Sequence, residues 1–130
     1  MESIIALKGT NMLNLANLFS TSINKTGHTR IKTPLIYSDG DLVNVFITES
    51  IHGKTLTDFG EGFWRLKGYL PSSSDSSLIK KINDLQILQS LNVNFKNGQI
   101  YSSYFDDSSK ILNVAQASSL LSFMFNNPLL

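Results

Sequence analysis

Four carboxylates, Asp39, Asp41, Asp58 and Glu61, are where chemistry is first sought in this chain. If a hairpin carries the Asp39-Gly40-Asp41 turn to the strand that ends at Asp58, all four gather at one end of a sheet. Clustered carboxylates of that kind hold Mg²⁺ or divide the work of acid and base. A plainer use competes with this one. Asp39 and Asp41 flank a glycine in a turn, and Asp58 and Glu61 stand at a helix start, where negative charge is favoured. Turn and cap chemistry explains all four without a ligand, and we adopt it. A metal-dependent enzyme built on Asp39, Asp41 and Asp58 stays as the third reading. A metal nuclease would need a carboxylate two residues before a lysine on a strand, and neither Glu49 nor Asp58 has that spacing.

Other reactive residue types are sparse. There are two histidines, His28 and His52, and no cysteine, so a zinc site would need both histidines and two carboxylates. No Gly-x-Ser-x-Gly presents a nucleophile, and Gly60-Glu61-Gly62 lacks the Lys-Ser/Thr ending of a phosphate loop. We therefore assign no catalytic residue, no metal ligand and no cofactor. Aromatic residues offer contact rather than catalysis. Phe63, Trp64 and Tyr69 share a helix with Arg65 and Lys67. Phe63 reads as core and Arg65 and Lys67 as a solvated face. Trp64, at the edge of the stripe, suits the core or an interface equally well. Tyr101, Tyr104 and Phe105, flanked by Lys96 and Lys110, have the types that stack on bases, although packing onto helices explains them too.

The elements that position these residues follow from periodicity. Met12, Leu15, Ala16, Phe19 and Ile23 predict an amphipathic helix over residues 10–23, with Thr10 as its cap. Residues 29–35 alternate as a half-buried strand with Pro34 at its end or on an edge. Residues 42–48 are apolar on both faces, which predicts a central strand. A short strand over 54–58 precedes a helix over 60–70. Pro71 breaks that helix, and Asp75 caps the next, which is expected to run from 76 to about 91. Asn97-Gly98 predicts a tight hairpin between strands at 92–95 and 100–104, because Asn-Gly accepts the mirror-image turn. A last helix over 110–125 is too broadly apolar for one core-facing stripe. Either it is central, or part of it, with Phe123 and Phe125, serves a partner or a second copy of the chain. The order α-β-β-β-α-α-β-β-α predicts an α+β fold, a mostly antiparallel sheet of about five strands packed against three to four helices.

Length and composition bound the rest. The 130 residues fit a single domain over 1–130, and 42% hydrophobic residues suffice for a core. Charged residues are 16%, against roughly 25% in an average soluble domain, and the net charge is +1. Lys80-Lys81 is the only adjacent basic pair, so nucleic-acid binding is not favoured, although a local patch is compatible with an overall balance. No secretory leader or membrane-spanning run is visible, and the expected location is cytoplasmic.

Thr33-Pro34, Asp39-Gly40-Asp41 and Leu56-Thr57-Asp58-Phe59-Gly60 carry one further signal. Followed by an amphipathic helix, the Asn97-Gly98 hairpin and an apolar terminal helix, this set resembles the bacterial and prophage family known as domain of unknown function 1828, over about residues 28–125. The resemblance implies a small protein encoded by a bacterium, prophage or phage, and no activity. With no catalytic set, low surface charge and an apolar terminal helix, we expect a non-catalytic protein-binding module. An inhibitor of a host or anti-phage defence protein, for example of the CRISPR type, fits that description. The expected contact residues are Asp39, Asp41, Asp58, Glu61, Trp64, Phe123 and Phe125. Self-association through the terminal helix is the next expected partnership, and a nucleic-acid-associated regulator is the alternative function.

Overall fold

The computed structural model describes residues 19–23 and 28–130. Period-two alternation produces the sheet. Ile31 and Thr33 of β2 (Thr29–Ile36) and Val43 and Val45 of β3 (Leu42–Ser50) point to the buried side, while Lys32 and Leu42 point away. β4 (Gly53–Thr57) returns through a tight turn. β5 (Asn94–Lys96) and β6 (Gln99–Tyr104) form the second hairpin, and Asn97 and Gly98 take the positive φ values, 54° and 82°, that the mirror-image turn requires. With β1 (Ser20–Ile23), the strand order is β1-β2-β3-β4-β6-β5, and every pairing is antiparallel. The α+β class and the central place of β3 are as the sequence predicts.

Residues 20–23 depart from expectation. They lie in β1, paired with Thr29 to Lys32, instead of closing an amphipathic helix. Ile23 suits either period, and an open edge of β2 supplies strand hydrogen bonds that a helix end cannot. The remainder of that predicted helix lies outside the described residues. Pro34 also has a specific accommodation. It falls where the β2–β3 register shifts, between Lys32 and Ile36. There the Thr33 hydroxyl donates to the Val43 carbonyl at 2.9 Å and accepts from Leu35 N, so a side chain supplies what the ladder loses.

Among the described residues, three helices supply side chains to the core on one side of the sheet. α1 (Glu61–Tyr69) buries Phe63 and Leu66. α2 (Asp75–Leu85) buries Leu78 and Ile82. Its cap is Ser74, which accepts from Ser77 N at 3.2 Å, with Asp75 in the first turn. It stops earlier than the apolar spacing predicts, because Gln86 turns left-handed at φ 56° and a 3₁₀ turn over Gln89–Leu91 follows. α3 (Ser108–Phe123), capped by Asp107, buries residues on several sides, among them Ile111, Val114, Ala117 and Leu121. It lies against β2, β3, β4 and β6 as well as α1, which accounts for its broad apolar surface.

Gly62 sets the spacing of α1 and α3. A Cβ there would stand 2.8 Å from Ser118 Oγ and closer still to the Ser118 carbonyl oxygen, which is fixed backbone. Gly62→Ala is therefore expected to cost about 3 kcal/mol, by overpacking, in a urea titration. An exposed helical glycine would gain about 1 kcal/mol from the same change, so the sign is diagnostic.

Candidate functional site

Asp58 ends β4 and begins the turn into α1. Its carboxylate is fully buried and accepts four hydrogen bonds. Oδ1 receives Gly60 N at 2.8 Å and Ile100 N at 3.0 Å; Oδ2 receives Gly62 N at 3.3 Å and the Ser118 hydroxyl at 2.6 Å. One side chain thus joins the end of β4, the start of α1, β6 and α3. It also satisfies amides that a helix start leaves without partners. Ser118 Oγ lies 2.9 Å from the Tyr37 hydroxyl, extending the network to the β2–β3 turn. Burial pushes Asp58 up from the usual carboxylate range, opposed by the Ser118 hydroxyl and the three amides. Burial likewise raises the Tyr37 phenol, against the Ser118 hydrogen bond.

The other three carboxylates converge, but on an arginine. Arg65 Nε reaches Asp39 Oδ2 at 3.0 Å, Nη2 reaches Asp41 Oδ2 at 3.0 Å, and Nη1 reaches Glu61 Oε1 at 2.6 Å. The guanidinium also sits 4.0 Å above the centre of the Tyr37 ring. Local geometry builds this arrangement. Tyr37 N donates to Asp41 O and Gly40 N to Tyr37 O, closing a turn, while Asp41 N donates to Asp39 Oδ1. Glu61 and Arg65 share a helix face at i and i+4. The Asp41 amide and Arg65 hold Asp39 below the usual carboxylate range. Burial works against the Arg65 charge, but its hydrogen bonds to Glu61, Asp41 and Asp39 outweigh it and hold the pKa above the usual value.

This geometry corrects two expectations. Arg65 is not part of a solvated face, since its side chain is 12% exposed and a ring and three carboxylates enclose it. The metal reading that joins Asp39, Asp41 and Asp58 fails on placement. Asp58 turns inward with both oxygens committed, and a guanidinium fills the space between Asp39 and Asp41. Among the described residues, no group of three or more histidines, aspartates or glutamates could hold a metal ion. Arg65→Ala would leave three carboxylates facing one another and strip the cover from Tyr37. The expected loss is about 2 kcal/mol, read as a shift in the urea midpoint. Arg65→Lys should recover little of it, because an ammonium cannot serve three separate acceptors from that plane.

Trp64, next to Arg65 on α1, is 64% exposed and divides two grooves. One, of about 380 Å³, is lined by Phe59, Phe63, Trp64, Lys67, Asp75 and Gly98. The other, of about 420 Å³, is lined by Asp39, Trp64, Arg65, Lys67, Gly68 and Tyr69. Tyr69 stacks on Phe125, with centroids 4.0 Å apart and planes 15° from parallel. Of the expected contact residues, the structure thus brings Asp39, Asp41, Glu61, Trp64 and Phe125 onto one continuous surface. Phe123 is exposed at the end of α3, two residues before Phe125, and Asp58 lies beneath the surface as its support. Sequence reasoning missed Arg65 as the centre and Tyr69 as the link. The Glu61–Arg65 spacing was the available signal for the first, and nothing local marks the second. No described helix is long and apolar enough to cross a membrane. Compared with known proteins, the chain matches no family model, no curated sequence and no solved structure.

Proposed function

We propose that the chain is a non-catalytic protein-binding module that engages its partner through the Trp64 surface. The observation that carries this is the position of Trp64, a large aromatic side chain left in solvent between two grooves. It stands on a helix whose neighbouring charges are locked in place. Exposed apolar area of this kind serves contact, and tryptophan, tyrosine and arginine anchor interfaces most often. The Arg65 cluster adds rigidity, so little side-chain entropy is lost on docking. Chemistry has less support. Asp58 is sealed in the core with both oxygens committed, and Asp39, Asp41 and Glu61 are all held by one arginine.

The resemblance to domain of unknown function 1828 supplies the setting, a bacterium, prophage or phage. An inhibitor of a host or anti-phage defence protein is the role we propose within it. Affinity capture from bacterial lysate with mass spectrometry, run beside size-exclusion chromatography, tests the reading. The expected result is a discrete protein complex. A strictly monomeric chain that captures nothing, yet turns over a nucleic acid, would contradict it.

A further inference from the structure

The charges around Trp64 are not evenly presented to solvent. Arg65 and Lys67 sit low, with 12% and 34% of their side chains exposed, while Asp39, Asp41, Glu61 and Asp75 range from 41% to 70%. Four carboxylates against two cations give this surface −2, although the chain as a whole is +1. The cations also hold only part of each acid. Arg65 takes Glu61 Oε1 and Asp41 Oδ2, and Lys67 takes Asp75 Oδ2 at 3.2 Å. Among the described residues, no hydrogen bond reaches Glu61 Oε2, Asp41 Oδ1 or Asp75 Oδ1. What a docking molecule meets first is therefore carboxylate oxygen.

Aromatic rings stand beside these acids. The chain twice places a cation of its own between a ring and carboxylates. Arg65 lies 4.0 Å above the Tyr37 ring while bonded to three acids, and Lys67 Nζ lies 5.5 Å from the Phe63 ring while bonded to Asp75. Trp64 offers the same pair of groups on the solvent side. Its ring centre is 5.9 Å from the Arg65 guanidinium, which keeps the acids of that cluster beside it. Trp64 also shares the 380 Å³ groove with Glu61 and Asp75. Gly60 and Gly98 line the same groove without side chains, so a long, thin side chain can lie along it.

Resting on the reading of Trp64 as an interface anchor, we propose that its partner presents a basic segment, with a lysine or arginine laid across the Trp64 ring toward Glu61 and Asp75. Charge complementarity selects this occupant. A guanidinium or ammonium gains both the ring face and the free carboxylate oxygens, and its aliphatic stem covers indole. Phosphates of a nucleic acid or a lipid headgroup would meet net negative charge. A second copy docking face to face by twofold symmetry would set carboxylates against carboxylates. The acids are held by Arg65 and Lys67 before the partner arrives, so little is lost in ordering them.

The test is fluorescence anisotropy with a labelled peptide of about 12 residues in which lysine, arginine and leucine are interspersed, beside a counterpart carrying glutamate for the basic residues. The basic peptide should bind, the acidic one should not, and affinity should fall about tenfold between roughly 50 and 500 mM salt. Asp41→Asn, Glu61→Gln and Asp75→Asn combined should weaken binding about tenfold, and Trp64→Ala about fivefold. Lys67→Gln removes a cation from the surface and should tighten binding about threefold, a gain that damage to the fold cannot produce. No binding at low salt, equal binding of the acidic peptide, indifference to the triple amide change or weaker binding by Lys67→Gln would each overturn the basic partner. Capture from bacterial lysate with the same baits separates this outcome from the interface reading beneath it. Capture lost in Trp64→Ala but kept in the triple amide variant would leave the interface standing and overturn the basic partner. Full capture by Trp64→Ala would overturn the interface reading itself, and the basic partner at Trp64 with it.

Discussion

Replacing Asp58 by alanine is expected to destabilise the fold by about 3–4 kcal/mol. Four donors lose their acceptor at once, three of them backbone amides that no rotamer can redirect. Each buried donor left unpaired costs about 1–3 kcal/mol, partly relieved where water enters the vacated space. For a chain of this length the loss corresponds to a fall in Tm of roughly 12–16 °C. Asp58→Asn keeps the shape and one acceptor oxygen, and should cost less than the alanine variant. Calorimetry of both checks the order. An alanine variant that melts with the wild type would remove Asp58 from its structural role.

The same carboxylate fixes the sign of a pH effect. Burial holds the folded pKa of Asp58 above its unfolded value, which is near 4. Between those two values the native state binds more protons than the unfolded state, so this residue makes stability fall as pH rises. Asp39 and Asp107 act in the opposite sense. Their folded pKa values are lowered, by the Asp41 amide with Arg65 and by Ser109 respectively. Their contribution is present above the unfolded value and is lost as pH falls through the folded one. Urea midpoints of wild type and Asp58→Asn across about pH 4–7 separate the two. Relative to wild type, the asparagine variant should gain stability as pH rises, and parallel curves would contradict the assignment.

The second large effect concerns binding. Trp64→Ala is expected to weaken capture of a protein partner by about 2 kcal/mol or more, at least ~30-fold, as truncation of a central anchor does. Its effect on stability should be small, within about 0.5 kcal/mol, because most of the side chain already meets water. That separation is the point of the variant, since it distinguishes lost contact from lost fold. Quantitative capture with wild-type and Trp64→Ala baits, alongside their urea midpoints, reads both quantities. A variant that retains full capture while folding normally would move the interface elsewhere.

What was legible in the sequence follows from how local each signal is. Asn97-Gly98 fixes a hairpin through two residues' backbone preferences, the alternation in 29–35 marks a half-buried strand, and the apolar run in 42–48 marks a central one. Gln86 shows where locality fails. A glutamine gives no warning of a left-handed turn, so the apolar spacing through Leu88 and Leu91 extended the expected α2 too far. Residues 20–23 show tertiary context overriding period, since only the edge of β2 makes them a strand. At the site, the turn and cap roles of Asp39 and Asp58 could be read from Asp-Gly and from the strand-to-helix boundary. The Arg65 triad could not, because Asp39 and Asp41 are 26 and 24 residues away in the chain. The Tyr37–Ser118–Asp58 chain spans more still, joining residues 81 and 60 positions apart. Contacts at that separation exist only once the sheet and α3 have met.

Trp64 is the only tryptophan, so the molecule carries its own probe of the proposed interface. Acrylamide quenching of that fluorescence, in the free chain and in its protein complex, reads directly whether this surface is the one covered. Steep quenching in the free chain and strong protection in the complex is the expected result. Quenching that remains equally steep after the complex forms would contradict the account.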